Sequence, residues 1–156
     1  MKLEAGQKAP DFILHDTGKA EVSLSEQKGK NVVLLFFPLA FTSTCTKELC
    51  SVRDNIATYN NANAQVFGIS VDSYATLVKF QKDQGINFPL LSDFNKEASN
   101  AYGAIYQEFA GWMKGVSKRA AFVIDKQGIV RYAEVLENAG DLPNFEAINS
   151  TLSSLN

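Results

Sequence analysis

The apolar residues of this chain follow two rhythms. Val32-Val33-Leu34-Leu35-Phe36-Phe37 and Val66-Phe67-Gly68-Ile69-Ser70-Val71 are nearly unbroken apolar runs. Runs without alternation are typical of strands covered on both faces, so 31–37 and 65–71 are predicted to be central strands. After the first run the spacing changes. Leu49, Val52 and Ile56 fall on one face at helical spacing and predict a helix over about 43–59. A second helix is predicted over about 74–84, with Asp72 or Ser73 as its cap and Gly85 as its stop. Residues 88–91 read as a short strand or extended turn, and a further helix is expected near 95–102.

The two ends complete the pattern. Residues 1–10 read as an extended entry, and 12–19 with 20–24 as a short hairpin turning at Gly18. Residues 103–118 form a long connection punctuated by glycine, in which Phe109, Trp112 and Met113 serve either as core filler or as a partner surface. Residues 120–124 and 129–135 predict a hairpin across Asp125-Lys126-Gln127-Gly128. Pro143 stands near the start of a last helix carrying Phe145, Ile148, Leu152 and Leu155. Alternating strands and helices imply parallel central strands, and the hairpins add antiparallel ones. The expected fold class is therefore α/β: one domain over 1–156 with a mixed central sheet, helices on both faces and an N-terminal hairpin. In such sheets the active site lies at the carboxyl ends of the strands.

Composition narrows the function classes. The chain has 156 residues, 46% of them hydrophobic, 21% charged, and a formal net charge of -2. No basic face stands out, so nucleic acid is not an expected partner. No apolar run approaches the length of a membrane span. Met1-Lys2-Leu3-Glu4-Ala5-Gly6 has no apolar stretch of the kind a signal peptide needs, so a reducing cytoplasmic location is expected. In that setting a cysteine pair is more often catalytic, redox-sensing or metal-binding than a structural staple.

Both cysteines, Cys45 and Cys50, lie in the segment that leaves the first central strand and opens the first helix. A cysteine at a helix start sits among unpaired N–H groups and the positive end of the dipole, which favours the reactive thiolate. The bland alternative for Cys45 is a small buried hydrophobe. Thr42, Ser43 and Thr44 are all candidate helix caps. Glu48 shares a helix face with Cys45, as a solvated charge or as a partner for a cation. On an ideal helix, residues five apart have Cα atoms roughly 8–9 Å apart and point in different directions. A disulfide needs roughly 7 Å or less, so Cys45 and Cys50 can join only if the helix unwinds. The single histidine, His15, is far away in sequence. With a C-x4-C spacing and no fourth ligand in view, His15, Cys45 and Cys50 do not make a zinc set.

Pro38-x-x-x-Thr42-x-x-Cys45 resembles the active-site pattern of the peroxiredoxins, and Arg119 before Ala120-Ala121-Phe122-Val123-Ile124-Asp125 is similar to that family's distant arginine. The likeness runs from Gly6-Gln7-Lys8-Ala9-Pro10-Asp11-Phe12 to the last helix. Phe36-Phe37-Pro38-Leu39-Ala40-Phe41-Thr42 and Phe88-Pro89-Leu90-Leu91-Ser92-Asp93-Phe94 look most like the AhpE branch. Cys50 is instead similar to the second cysteine of the PrxQ, or bacterioferritin comigratory protein, arrangement. The resemblance implies a thioredoxin-like fold and a peroxidatic Cys45. It also implies a catalytic hydroxyl at Thr42, a shielding Pro38, and an Arg119 that stabilises the thiolate and polarises the peroxide. Glu48 would orient Arg119, and Cys50 would be either the resolving thiol or a buried helix residue of a one-Cys enzyme.

The expected activity is reduction of hydrogen peroxide and organic hydroperoxides by a homodimer, without metal, haem or flavin. A thioredoxin- or glutaredoxin-like dithiol protein would return the electrons. One rival is a thiol–disulfide exchange protein on the same fold, which the missing C-x-x-C argues against. Another is a peroxide sensor or a structural module, which would show little turnover or an ordinary slow Cys45.

Overall fold

The computed structural model describes residues 3–155. The entry segment leads to an antiparallel hairpin, β1 (Ile13–Asp16) and β2 (Glu21–Ser23). Its turn is held by the Asp16 carboxylate, which accepts from the N–H groups of Gly18 and Ala20. A short 3-10 turn (Ser25–Gln27) leads into β3 (Asn31–Phe36), every residue of which is buried. Then follow α1 (Ser43–Asp54), α2 (Ile56–Asn61), β4 (Ala64–Ser70), α3 (Tyr74–Gln84), β5 (Leu90–Ser92) and α4 (Glu97–Ala101). β6 (Arg119–Ile124), β7 (Val130–Leu136) and α5 (Phe145–Ser154) close the chain.

The strands form one seven-stranded sheet in the order β2-β1-β5-β4-β3-β6-β7. β3, β4 and β5 are parallel, while β1, β2, β6 and β7 join by antiparallel pairing. This is the mixed α/β sheet expected from the sequence.

Because successive side chains alternate across a strand, β3 feeds both layers. Val33, Leu35 and Phe37 pack with Leu49, Val52, Leu77, Phe80, Ile148 and Leu152 from α1, α3 and α5. Val32, Leu34 and Phe36 face the other way, against Phe12, Ala98 and Tyr102. There the Phe36, Tyr102 and Phe122 rings meet with centroids 5.1–5.8 Å apart. Truncating a ring such as Phe36 to alanine should cost about 3–5 kcal/mol. Gly68 on β4 keeps the α1 layer tight, since a Cβ there would lie 2.7 Å from Leu90 Cδ2 and 3.4 Å from the Phe37 ring.

Several boundaries differ from expectation for local reasons. The helix expected over 43–59 is interrupted at Asn55, whose side chain donates to Ser51 O and whose N–H donates to Val52 O. Asparagine competes for backbone partners in this way and breaks the helical ladder. Ser73 alone caps α3, accepting from Thr76 N, and Gly85 ends that helix in the left-handed region at φ 60°. α4 starts later than expected because Lys96 adopts φ 65°. Asp93 caps that helix from a distance, its two oxygens accepting from the Ala98 and Ser99 N–H groups. The hairpin between β6 and β7 turns where predicted, with the Asp125 carboxylate holding the N–H groups of Gln127 and Ile129. Trp112 is 73% exposed and so is not core filler.

Candidate active site

The sheet brings the site together by register. β6 runs antiparallel to β3, with Ala120 opposite Phe36. The first residue of β6, Arg119, therefore sits where β3 ends and the chain turns into α1. Alternation sends the Arg119 side chain to the same face as Ala121 and Val123, which is the face α1 covers. From α1, Cys45, Glu48, Leu49 and Val52 point inward at i, i+3, i+4 and i+7. Two polar residues thus enter an otherwise apolar stripe three positions apart, and Arg119 meets both.

The contacts are short. Arg119 Nη2 donates to Cys45 Sγ at 3.3 Å, and Nη1 donates to Glu48 Oε1 at 2.7 Å. Arg119 Nη2 and Nε also donate to the Ala139 carbonyl, at 2.8 and 3.3 Å. Cys45 is 1% exposed, Arg119 1% and Glu48 0%. A guanidinium is a planar fork of fixed donors, so holding it at Glu48 and Ala139 fixes the direction of the N–H aimed at the sulfur. The solvated-charge reading of Glu48 does not survive its complete burial.

Burial sets the electrostatics. Loss of water raises the Glu48 carboxyl from its ordinary 4.5 to about 7; the Arg119 charge pulls the other way and Glu134 adds to the rise. Oε2 of Glu48 has no hydrogen-bond partner. For Arg119, burial disfavours the charge, but the Glu48 carboxylate and the Cys45 sulfur outweigh it and hold the guanidinium above its ordinary value.

The entrance is a pocket of about 220 Å³ lined by Pro38, Thr42, Cys45, Phe109, Arg119 and Ala139. Pro38 is buried beside the sulfur, and Thr42 is exposed at the rim. Thr42 occupies the N-cap position of α1 but makes no side-chain cap bond. Its hydroxyl donates instead to Leu39 O at 2.7 Å, and its own carbonyl receives the Thr46 N–H and hydroxyl. The Thr42 hydroxyl, its proton on Leu39 O, keeps acceptor capacity at the rim of the pocket that Thr42 lines.

Of the residues singled out in the sequence, Pro38, Thr42, Cys45, Glu48 and Arg119 come together here. Cys50 does not. It is half-buried further along α1, with Sγ 3.6 Å from Gln84 Oε1, and both cysteines are free thiols. His15 lies on β1, with β5 and β4 between it and β3. Among the described residues, no group of three or more His, Cys, Asp or Glu side chains is placed to hold a metal, and no helix is long and apolar enough to cross a membrane. Sequence reading missed Ala139, which acts through its carbonyl and so leaves no side-chain signal. It also left Phe109 unplaced, since its place on the pocket wall depends on how the 103–118 connection folds back.

The family model described as AhpC/TSA matches residues 5–133. The chain belongs to this family, the peroxiredoxins. It is 41% identical over 156 residues, 98% of each chain, to alkyl hydroperoxide reductase E of Mycobacterium tuberculosis. The crystal structure of peroxidoxin BcpB from Mycobacterium tuberculosis superposes with a TM-score of 0.87 at 30% identity, covering 99% of both chains. The bacterioferritin comigratory protein of Xanthomonas campestris gives a TM-score of 0.84 at 25% identity, over 97% of this chain and 98% of that one. Both branches noted in the sequence are thus represented among the similar proteins of this peroxiredoxin.

Proposed function

We propose that this peroxiredoxin is a thiol-dependent peroxidase whose Cys45 thiolate reduces hydrogen peroxide and organic hydroperoxides. The observation that carries the reading is the Arg119 Nη2 contact with Cys45 Sγ at 3.3 Å, inside a buried trio with Glu48. An unperturbed thiol is only a few per cent ionised at neutral pH, so a fixed cation beside the sulfur favours the nucleophilic form. The sulfur attacks the terminal oxygen of the hydroperoxide. An S–O bond forms, the O–O bond breaks, and two electrons pass from sulfur to oxygen. The leaving alkoxide or hydroxide takes up from solvent the proton that the Cys45 thiol released on ionising and departs as alcohol or water, leaving Cys45 as a sulfenic acid. Arg119 stabilises the charge that grows on the leaving oxygen. Thr42, its proton committed to Leu39 O, accepts the peroxide O–H and orients it. Pro38 keeps water from the sulfur, and Glu48 holds Arg119 in line.

Cys50 then resolves the sulfenic acid. Its sulfur displaces hydroxide, which leaves as water, and a Cys45–Cys50 disulfide forms. This needs the first turns of α1 to unwind, because an intact helix keeps the two Cα atoms roughly 8–9 Å apart. A thioredoxin- or glutaredoxin-like dithiol protein in the cytoplasm restores the thiols. Exposed Phe41, next to Thr42, and exposed Trp112, in the connection that carries Phe109, suit a homodimer contact near the site. A one-Cys cycle is the second reading, favoured by the inward Cys45 and the separate environment of Cys50.

Intact mass decides between them. Fully reduced protein receives one equivalent of hydrogen peroxide and is quenched within seconds by a thiol alkylator. Loss of about 2 Da with no alkylation means a disulfide, and gain of about 16 Da at Cys45 means a one-Cys cycle. Two alkylated thiols with unspent peroxide would refute the peroxidase itself.

A further inference from the structure

The stretch from Pro38 to Thr42 carries two residues of the pocket, yet it adopts a shape its own sequence does not favour. Phe41 has φ 67°, in the left-handed region that bulky side chains avoid. The Phe41 side chain is 51% exposed, and its ring leans edge-on against Phe80 at 5.2 Å. A backbone in that region persists only where its surroundings over-determine it. One constraint comes from inside the loop, the Thr42 hydroxyl on Leu39 O. The other comes from across the sheet. Asp72 Oδ2 accepts the Ala40 N–H at 2.8 Å, immediately before Phe41.

Asp72 is itself built into place. The Ser70 hydroxyl donates to the same Oδ2 at 2.7 Å, and the Asp72 N–H donates to Ser70 Oγ at 3.2 Å. From β5, the Ser92 hydroxyl donates to the Asp72 carbonyl at 2.6 Å. The ends of two parallel strands thus fix one carboxylate oxygen, and that oxygen fixes the active-site loop. Asp72 does not serve as the α3 cap, because Ser73 does. Nor does it line the Cys45 pocket.

We infer that Asp72 is a positioning residue for peroxide reduction: through Ala40 N–H it holds the Pro38–Thr42 loop in the strained shape that presents Thr42 to the peroxide. The inference rests on the peroxidase reading above. It separates the site into two halves with different supports. Arg119 and Glu48 come from β6 and α1 and act on the sulfur without the loop. Thr42 and Pro38 reach the peroxide only through a loop that β4 and β5 hold from a distance. Loss of the Asp72 oxygen should therefore slow reaction with peroxide and leave the sulfur's general reactivity in place.

The test compares Asp72→Ala and Asp72→Asn in a Cys50→Ser background, so that Cys45 is the sole thiol. Two rates are measured on each reduced protein: oxidation of Cys45 by hydrogen peroxide, and alkylation of Cys45 by iodoacetamide, which needs the thiolate but no peroxide-orienting hydroxyl. Asp72→Ala is expected to slow the peroxide reaction about 10- to 100-fold while alkylation stays within about twofold. Asp72→Asn keeps an oxygen able to accept from Ala40 N–H and is expected to recover most of the peroxide rate. An unchanged peroxide rate in Asp72→Ala, beside a fast parent, would overturn the inference and leave the peroxidase intact. Equal loss in both variants, or alkylation falling in step with peroxide reaction, would also overturn it, because the role would then lie in charge or general folding. A parent that failed to react with peroxide would instead overturn the peroxidase reading.

Discussion

Cys45 and Cys50 share one helix and one side chain, yet the fold gives them opposite settings. Cys45 is 1% exposed, with guanidinium Nη2 of Arg119 3.3 Å from its sulfur and the buried Glu48 carboxylate on the neighbouring Nη1. Cys50 is half-buried at the edge of the same helix, beside the Gln84 amide oxygen. Arg53, three residues on in the same helix, donates to Asp54 Oδ1 and to the Gln84 carbonyl. Helical phase alone separates them, and what β6 brings to one side of α1 it does not bring to the other. A thiol's chemistry here is decided by the strand its helix face meets.

The comparison can be broken most severely at Cys45. Cys45→Ser should reduce peroxide consumption to the uncatalysed level, with folding retained because serine is a close steric match; activity in that variant would move the nucleophile elsewhere. Arg119→Ala comes next. Losing a fixed donor at a site of developing charge should slow Cys45 oxidation by about 10²- to 10³-fold. It also removes the ion-pair partner of the fully buried Glu48, at a cost of about 3–5 kcal/mol in urea unfolding at a pH where that carboxyl is ionised. Adding Glu48→Gln should return most of that stability but not the rate. If the double variant recovered both, Arg119 would be structural only.

Glu48 sharpens the same side of the comparison through pH. Its carboxyl is raised from 4.5 to about 7 by burial. Between those values the folded state holds a proton that the unfolded chain has released, so stability falls as pH rises through this window. The full difference corresponds to about 3 kcal/mol. Unfolding free energy of the wild type should thus be lower near pH 8 than near pH 5 by about that amount from this group, and Glu48→Gln should lack that component. An identical pH profile in the two proteins would mean that Glu48 stays ionised in the fold. Cys50→Ser should have the smallest effect on the first step. Cys45 oxidation should proceed within about twofold of wild type, while the product carries an added oxygen, about 16 Da, rather than a disulfide. A large slowing of the first step would show that the two cysteines are not separate environments.

Much of this was legible along the chain. The unbroken apolar runs of β3 and β4 announce strands covered on both faces, and they are central. Three-residue spacing on α1 placed Glu48 on the face of Cys45, and the peroxiredoxin resemblance agrees with the family to which the chain belongs. Local polar competition was harder to read. Asn55 interrupts a helix by taking Ser51 O, and Asp72, which looks like a cap, serves the loop before Thr42 instead. Short polar side chains have several backbone partners within reach, and sequence does not say which one wins.

Sequence by itself determined the elements and the reactive residue types, because periodicity and helix-start chemistry are local properties. Tertiary structure alone decided that Arg119, 74 positions after Cys45, would lie against its sulfur. That follows from antiparallel pairing of β6 with β3, which brings the start of one strand to the end of the other. It also decided that the guanidinium would be steered by the Ala139 carbonyl, a group every residue carries. Such a group becomes specific only when the loop after β7 folds back over the site.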